Sequence, residues 1–392
     1  MDRTFDRRSA TAFIVAFGIV SLFADMAYEG MRGINGPFLG LLGASGAAVG
    51  VIAGGGELAG YLIRLLSGRV AQATGAYWPL AIGGYVLTMI AVPLMAFAFD
   101  WRVAALFVML ERAGKAVRSP ATNTMQAKAG DVIGQGWAFG LQEALDQTGA
   151  IIGPLITATV LARHGDYHAA YAWLGVPAVL TLLTLGAIVV RYRFAGHVAP
   201  PSKNDVPPVL TRAFWLYTAS TALLGFGFAD FSLIAFHFSR AGTVSPALIP
   251  IFYAGAMAAS GVGALVFGLL FDRRGLIVLV PAVLAGAATT PLVFFGGATA
   301  ALIGTVLWGL AIGTQNALMS ASVAKLVPQA IRARAYGLFS AIYGIAWFAG
   351  SALLGALYDR SLAALATVAI AAQLLALVPL GLTIREISRE TA

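Results

Sequence analysis

Residues 51–75 read VIAGGGELAGYLIRLLSGRVAQATG, and residues 251–275 read IFYAGAMAASGVGALVFGLLFDRRG. Both segments are long apolar runs that end in glycine, and both carry another glycine seven residues before that end. A second match lies upstream, where Phe-Ala-Asp occurs at 23–25 and again at 228–230. The repeated pattern indicates that the chain consists of two related halves.

The composition is too apolar for a soluble protein of this size. Of 392 residues, 59% are hydrophobic and 11% are charged, whereas soluble domains have roughly 25% charged residues. An apolar run of about 20 residues can cross a bilayer as a helix, and such runs follow one another along the chain. We predict twelve spans, at 10–42, 46–68, 78–99, 101–127, 135–162, 167–190, 212–239, 246–271, 276–297, 299–324, 333–358 and 361–384.

These runs are continuous, so they do not fit a membrane β-barrel, whose strands alternate polar and apolar residues. We therefore predict an all-α integral membrane protein. The first run is too long and too charged for a cleaved signal peptide. The 46 glycines suit the close approach of helices in lipid.

The distribution of basic residues predicts the orientation. The net charge is +8, and most Lys and Arg side chains fall in segments that are cytoplasmic if both termini are inside. Only four fall in external segments: Arg102, Arg163, Arg240 and Arg360. This bias predicts a multi-pass protein of the cell inner (cytoplasmic) membrane with both termini in the cytoplasm. It also explains the positive charge without nucleic acid as a partner.

One polar segment divides the spans into six and six. It contains two proline pairs, at 200–201 and 207–208, which cannot continue a helix. We predict an N-terminal six-helix bundle at 1–192, a cytoplasmic linker at 193–211 and a C-terminal six-helix bundle at 212–392. Duplicated membrane halves with a site near their interface are the construction of many secondary transporters.

Several kinds of chemistry find no support in the sequence. The chain has no cysteine, which excludes disulfides and thiolate sites. Its four histidines are scattered, so we expect no metal site. Neither a nucleotide-binding loop nor a nucleophile–base arrangement is evident, and we expect no cofactor and no enzymatic activity.

Ionisable residues inside the spans are concentrated in the first half. Such groups are costly in lipid and usually face a cavity or a partner. Asp25, Glu29 and Arg32 share one face of the first span. Glu111, Lys115 and Arg118 form a stripe on the fourth span, with Arg112 beside it. The fifth span adds Glu143 and Asp146.

The second half has mostly aromatic and small polar residues where the first half is charged. Asp230 stands nearly alone in its span, and we leave open whether it is a second proton site or a helix cap. The remaining candidates in this half are Trp308, Gln315, Asn316, Tyr343 and Trp347. An aromatic lining suits a partly apolar organic molecule.

The loop that follows the second span of each half identifies a resemblance. The second copy has the pattern Gly-x-Leu-x-Asp-x-x-Gly, formed by Gly268, Leu270, Asp272, Arg273 and Gly275. The first copy retains Gly68, Arg69 and Gly75, but Gln72 occupies the position of the acid. The chain resembles the major facilitator superfamily over essentially its full length. The resemblance implies twelve helices in two pseudo-symmetric bundles around a central cavity, and a cytoplasmic latch formed by this loop.

The fifth span carries a further pattern. Gly140, Gly149 and Gly153 precede Pro154 with the spacing of the fifth-helix motif of proton-coupled exporters in this superfamily. Glycines permit close packing, and a proline bends the helix. The resemblance therefore implies a conformational role for these four residues.

In this family the first and fourth helices of each half line the cavity. A carboxylate placed there, between apolar surroundings and nearby cations, can load and release a proton. The resemblance thus implies that Asp25 or Glu29 carries the proton. Arg112 matches the Arg of the fourth-helix motif Arg-x-x-x-Gly, although Ala116 replaces the glycine, and it is the expected coupling residue.

We assign substrate binding to the other ionisable and aromatic candidates. They are Arg32, Glu111, Lys115, Arg118, Glu143, Asp146, Asp230, Trp308, Gln315, Asn316, Tyr343 and Trp347. The prediction is a monomeric secondary active transporter, surrounded by membrane lipid, that uses the proton gradient to export a small amphipathic organic compound by alternating access. Two alternatives on the same scaffold remain open: a proton-driven importer of an organic anion, and a lipid or lysolipid flippase. A non-transporting membrane sensor or scaffold is an alternative of a different class.

Overall fold

The computed structural model describes residues 5–196, 210–328 and 332–390, and these residues are helical apart from short connections. The first half contains α1 (Arg7–Leu41), α2 (Gly46–Thr74), α3 (Tyr77–Leu94), α4 (Trp101–Ile133), α5 (Gln135–His164), α6 (Tyr167–Trp173) and α7 (Gly175–Arg191). The second half contains α8 (Arg212–Gly227), α9 (Phe231–Ala241), α10 (Ile249–Arg274), α11 (Leu279–Phe295), α12 (Ala298–Leu326), α13 (Arg332–Tyr358) and α14 (Leu362–Glu390). Within this part of the chain there is no strand.

The helices confirm an all-helical membrane fold. Eleven helical segments in the described ranges are long and apolar enough to cross a bilayer, with α6–α7 and α8–α9 each counting as one segment. Helix α4 has 33 residues and is not among them, because it carries Glu111, Arg112, Lys115 and Arg118 within two turns. Twelve spans and two symmetric bundles therefore stay predictions.

The chain divides into two compact units whose boundaries differ from the halves of the sequence. Unit 1 comprises residues 1–35 and 59–202, and unit 2 comprises residues 36–58 and 203–392. Helices α1 and α2 thus each contribute one end to each unit. The predicted linker falls largely at 197–209, outside the described residues. The first four residues of the predicted linker, Arg193–Gly196, form a short 3₁₀-helix.

The glycines at the two ends of the quoted repeat have the same backbone role. Gly75 follows α2 with φ +67°, and Gly275 follows α10 with φ +65°. Positive φ is unfavourable for residues with a Cβ, which is why glycine commonly ends a helix in this way. The repeat seen in the sequence therefore fixes where two equivalent helices stop.

Glycines also bring helices close together within unit 1. Gly149 and Gly153 of α5 lie against the backbone oxygens of Leu22 and Met26 on α1, so that a side chain at either glycine would clash. In unit 2, Gly350 of α13 lies in the same way against the backbone oxygen of Phe226 on α8. Such contacts are typical of helix packing in lipid, where small residues allow backbones to approach.

The first half of α2 is anchored to unit 2 by glycine packing and by a cap. Gly50 and Gly54 pack against Ser351 on α13. The Asp359 carboxylate, just after α13, accepts hydrogen bonds from the backbone N–H groups of Gly46 (3.0 Å) and Ala47 (2.8 Å). A carboxylate at a helix N-terminus satisfies free amides and interacts favourably with the helix dipole. We call this contact the Asp359 cap.

Candidate functional site

The acidic residues of α1 are buried inside unit 1. Asp25 is 7% exposed and Glu29 is 6% exposed. Their spacing of four residues places both on the same side of a continuous helix. Because buried carboxylates need charge partners or hydrogen bonds, their neighbours define the site.

Glu29 interacts with one cation on its own helix, α1, and with a second cation on α4. Glu29 Oε1 lies 3.2 Å from the Arg32 guanidinium and 3.9 Å from Lys115 Nζ. The predicted meeting of the first and fourth helices thus occurs in unit 1. One carboxylate bridges two cations, so a change in its charge alters both contacts.

Tyr28 lies between the acids in sequence and beside the cations in space. Lys115 Nζ is 3.9 Å from the centre of the Tyr28 ring, a distance suited to a cation–π interaction. Asp25 interacts electrostatically with Asp146 of α5, with Lys115 and with Glu29. The site therefore combines groups from three helices of unit 1.

Arg118 is held by uncharged groups. Its guanidinium donates a hydrogen bond to Thr88 Oγ1 at 3.2 Å and stacks over the Tyr85 ring, with Cζ 4.3 Å from the ring centre. The Tyr28 ring is also near, at 5.6 Å. These contacts fix a cation that is 6% exposed.

Arg112 and Glu111 form a neighbouring pair on α4. Arg112 Nε lies 3.5 Å from Glu111 Oε2. Glu111 is buried, and no described residue donates a hydrogen bond to its Oε1. The structure thus places the predicted coupling residue beside an acid that is only partly satisfied.

The acids of α5 differ from each other in environment. Asp146 accepts a hydrogen bond from Gln142 at 2.7 Å, and Gln142 accepts one from Gln126 of α4 at 3.2 Å. Glu143 is exposed and accepts a hydrogen bond from Gln147 at 2.9 Å. Asp146, which is partly buried, therefore belongs to the network around Asp25, and the exposed Glu143 lies at its edge.

Asp230 of unit 2 caps a helix. Its carboxylate accepts a hydrogen bond from the backbone N–H of Ser232 at 2.8 Å, at the N-terminus of α9. The sequence left two roles open for this residue, and the geometry is that of the helix cap.

Buried aromatic rings form a continuous series in unit 2. Trp308 contacts Phe228 and Phe231, with ring centres 5.7 and 5.6 Å apart. Trp347 contacts Phe228 at 5.5 Å and Tyr343 at 5.6 Å. We call these five residues the aromatic wall. It brings together three of the predicted substrate-binding residues, Trp308, Tyr343 and Trp347.

The polar groups of the predicted substrate-binding residues in unit 2 differ in whether they have hydrogen-bond partners. Trp308 donates its indole N–H to the carbonyl of Ala229 at 2.9 Å. The indole N–H of Trp347 and both amide atoms of Gln315 are buried without a hydrogen-bond partner among the described residues. Asn316 is exposed. Among the predicted substrate-binding residues of this half, Gln315 and Trp347 thus have unused hydrogen-bonding capacity.

The predicted gating residues lie at helix ends and on one helix face. Arg69 and Arg273 are exposed near the ends of α2 and α10, and the Asp272 side chain is outside the described residues. Gly68 makes ordinary contact with Pro120 of α4, whereas Gly268 has open space around it. In α5, Gly149, Gly153 and Pro154 are buried. Gly140 is exposed with no atom near its missing side chain, so it is not a packing contact.

Several residues of the site were not predicted, among them Tyr28, Tyr85 and Thr88. Tyr28 could have been identified from the sequence, because it lies between Asp25 and Glu29. Tyr85 and Thr88 are uncharged residues of α3, and only the fold brings them to Arg118. No group of three or more His, Cys, Asp or Glu side chains that could hold a metal ion occurs among residues 5–196, 210–328 and 332–390.

These features define a class: a polytopic helical membrane protein with buried charge in one unit and buried aromatic rings in the other. Comparison with known proteins gives the family. Residues 9–351 match the model of the Major Facilitator Superfamily, and the chain belongs to this family. It is therefore a transporter and not an enzyme.

Two relatives match nearly the whole chain. An uncharacterized protein of Mycobacterium tuberculosis is 41% identical over 384 residues, covering 94% of this chain and 92% of that protein. An uncharacterized MFS-type transporter of Methanocaldococcus jannaschii is 23% identical, with 90% of each chain covered.

Two solved transporters have the same fold. The nucleoside transporter NupG gives a TM-score of 0.72 at 15% identity, covering 95% of this chain and 98% of that chain. The peptide transporter POT in complex with sulfate gives 0.76 at 16% identity, covering 97% and 99%. At these identities the likeness concerns the fold alone.

Proposed function

We propose that the protein is a proton-coupled secondary transporter of a small amphipathic organic compound, working by alternating access in the cytoplasmic membrane. The observation that carries the proposal is the position of Glu29. It is buried in a membrane-spanning helix and lies within 4 Å of two cations, Arg32 and Lys115. Ionisable groups at such depth usually belong to ion or substrate pathways.

Protonation of Glu29 would change contacts on two helices at once. A neutral carboxyl no longer attracts Arg32 within α1 or Lys115 on α4, so each protonation state favours a different arrangement of side chains. A ligand shifts a conformational equilibrium only through such differential contacts. Glu29 and Asp25 are therefore the proposed proton carriers, and Arg112 acts on them through its pair with Glu111.

The charged groups around Asp25 and Glu29 influence how readily these carboxylates bind a proton. Titratable and charged groups on four helices interact with Asp25, with Glu29 or with their immediate partners. They are Tyr28 and Arg32 on α1, Tyr85 on α3, Glu111, Lys115 and Arg118 on α4, and Asp146 on α5.

The aromatic wall supports an organic substrate with an apolar part. Aromatic side chains with a few unsatisfied polar groups are typical of small-molecule sites, and Trp347 and Gln315 supply such groups. Export as the direction rests on the motif of α5, in which Gly149 and Gly153 contact the helix that carries both acids. Cytoplasmic termini and a monomeric state belong to the same proposal.

Proteoliposomes loaded with a pH-sensitive dye would test proton coupling. A panel of small aromatic cations, anions and neutral compounds is added, and proton movement and compound accumulation are recorded under an imposed pH gradient. One coupled proton supports about tenfold accumulation per pH unit, because one unit corresponds to about 1.4 kcal/mol. The sign of the proton movement distinguishes export by exchange from import with protons.

Three variants complete this experiment. We expect Asp25→Asn and Glu29→Gln to lose gradient-driven accumulation. Asp230→Asn should retain it, because asparagine also caps a helix well. Uphill transport by both α1 variants at the native level would refute the assignment. If a sodium gradient drives accumulation and a pH gradient does not, the coupling ion is sodium and not the proton.

A further inference from the structure

Four cations lie in the charged network of unit 1, and one of them differs from the rest. Arg32 and Lys115 pair with Glu29, and Arg112 pairs with Glu111, all within 4 Å. Among the described residues, none provides a carboxylate at that distance from Arg118. Asp25 and Glu111 act on Arg118 electrostatically, but from beyond ion-pair distance.

Arg118 also has unused hydrogen-bonding capacity. A guanidinium has five N–H donors in a planar fork. One hydrogen bond to a described residue is made, to Thr88. The Tyr85 ring holds the plane of the guanidinium in place. A fixed planar fork with free donors matches the geometry of a carboxylate or phosphate.

The position of Arg118 on its helix does not in itself require a charged residue. Gly140-Leu141 recurs as Gly337-Leu338, and the same offset of 197 residues places the neutral Gln315 of α12 at the position of Arg118. Gln315 is likewise buried. Burying an arginine without a paired carboxylate is unfavourable. Its presence in unit 1 is explained if the missing anion arrives with a ligand.

We propose that Arg118, with Lys115 beside it, binds an anionic group, a carboxylate or a phosphate, of the transported compound. Both cations lie against the ring of Tyr28, and the Lys115 side chain is 28% exposed, which gives the anion a point of approach. The assignment rests on the proposed function in one respect: the network of α1, α4 and α5 is the transport site. It narrows the substrate class to organic anions, whatever the direction of transport.

Binding to the full-length protein in phosphatidylcholine nanodiscs tests the proposal without any gradient. Thermal stabilisation is measured against increasing benzoate, phenyl phosphate and the neutral benzamide, at constant ionic strength set with chloride. We expect both anions to stabilise the native protein and benzamide not to do so. Arg118→Gln should weaken the apparent affinity for the anions about 10- to 100-fold, since a charged hydrogen bond contributes about 1.5–3 kcal/mol.

Two further variants control the measurement. Arg102→Gln removes an exposed arginine at the start of the same helix and should bind both anions as the native protein does. Arg118→Lys keeps the charge but loses the fork, so its affinity should lie between those of the native protein and Arg118→Gln. If Arg118→Gln does not fold, the difference between Arg118→Lys and native protein decides.

A second arm distinguishes a soluble anion from a lipid headgroup. Replacing part of the phosphatidylcholine by phosphatidylglycerol leaves benzoate affinity unchanged if the site takes soluble anions, and lowers it if an anionic headgroup occupies Arg118. Either result supports an anion site and identifies its ligand.

The proposal is overturned if neither anion stabilises the native protein more than benzamide does. It is also overturned if Arg118→Gln and Arg118→Lys both bind the anions with native affinity. Anion binding without any coupled proton movement in the native protein would reject the proposed coupling and leave the Arg118 site standing.

Discussion

The sequence Phe-Ala-Asp occurs once in each half of the chain, and the two copies have different structures. At residues 23–25 the helix is continuous and Asp25 lies within a network of buried charges. At 228–230 the helix is interrupted, and Asp230 caps the helix that follows. The comparison teaches that a repeat in sequence can keep the path of the chain while its chemistry diverges.

The same divergence appears along the helices that face these segments. In register with Glu29 and Lys115 of unit 1, the second half has Ile234 and Ile312. One unit therefore stabilises this helix pair with a charged contact. The other has only apolar side chains at these positions.

The two units share close contacts between glycine and the backbone of a neighbouring helix. We expect the largest loss of stability where such a glycine is replaced. Gly153→Val in unit 1 and Gly350→Val in unit 2 each place a side chain against a backbone oxygen that cannot move aside. Each should lower the free energy of unfolding by about 3 kcal/mol, the upper range for overpacking. Thermal unfolding followed by tryptophan fluorescence measures the loss.

Gly140→Val is the matched control on α5, because open space surrounds that position. It should unfold close to the native temperature. Equal losses at Gly140 and Gly153 would show that the whole α5 motif packs, contrary to the structure.

A smaller loss of stability is expected when the contact between Glu29 and Lys115, which has no charged counterpart in unit 2, is removed. Glu29→Leu leaves Arg32 and Lys115 without their carboxylate, and we expect a loss of about 2 kcal/mol. This is less than for a fully buried pair, because both cations are partly exposed. Adding Lys115→Leu makes the pair resemble its apolar counterpart in unit 2, so part of the stability should return.

The double variant should nevertheless lack proton coupling, which separates stability from function. Denaturation curves for the native protein, the two single variants and the double variant give the interaction energy. An interaction energy of zero would mean that Glu29 and Lys115 do not depend on each other.

The smallest effect concerns the first helix of each half. Hydrogen bonds from Ser9 hold the pKa of Asp6 below its usual value of 3.8, whereas α8 is capped by the uncharged Thr211. A lowered folded-state pKa stabilises the protein above the unfolded pKa, and this contribution disappears as pH falls through the folded value. The stability difference between native protein and Asp6→Ala should therefore be complete at pH 7 and decrease as pH falls below about 3.8.

For Thr211→Ala the corresponding difference should not change with pH over this range. Melting temperatures at pH 7, 5 and 3 compare the two caps. A pH-independent difference at Asp6 would exclude its carboxylate as the stabilising group.

Hydrophobic runs and helix-ending residues were sufficient to predict most helix boundaries. The first run was expected at 10–42 and α1 spans Arg7–Leu41. Charge spacing on single helices also predicted which side chains would share a face. The break before Asp230 was left open: a continuous span was expected at 212–239, and a helix cap was one of the roles considered for Asp230.

Contacts between helices were harder to anticipate. The support that Thr88 and Tyr85 give to Arg118 comes from uncharged residues on another helix, so no charge pattern indicated it. The inclusion of residues 36–58 in unit 2 depends on glycine packing against α13. A single sequence does not reveal such pairings, because small residues occur throughout the chain.

The Asp359 cap has a consequence for how the molecule can be taken apart. It holds the start of α2 to a group encoded more than three hundred positions later. Two polypeptides obtained by severing the chain between Gly196 and Leu210 would not each carry a whole unit. The second would present Asp359 to solvent with no helix start to receive it. Any genetic dissection of this transporter must therefore move residues 36–58 together with the C-terminal fragment.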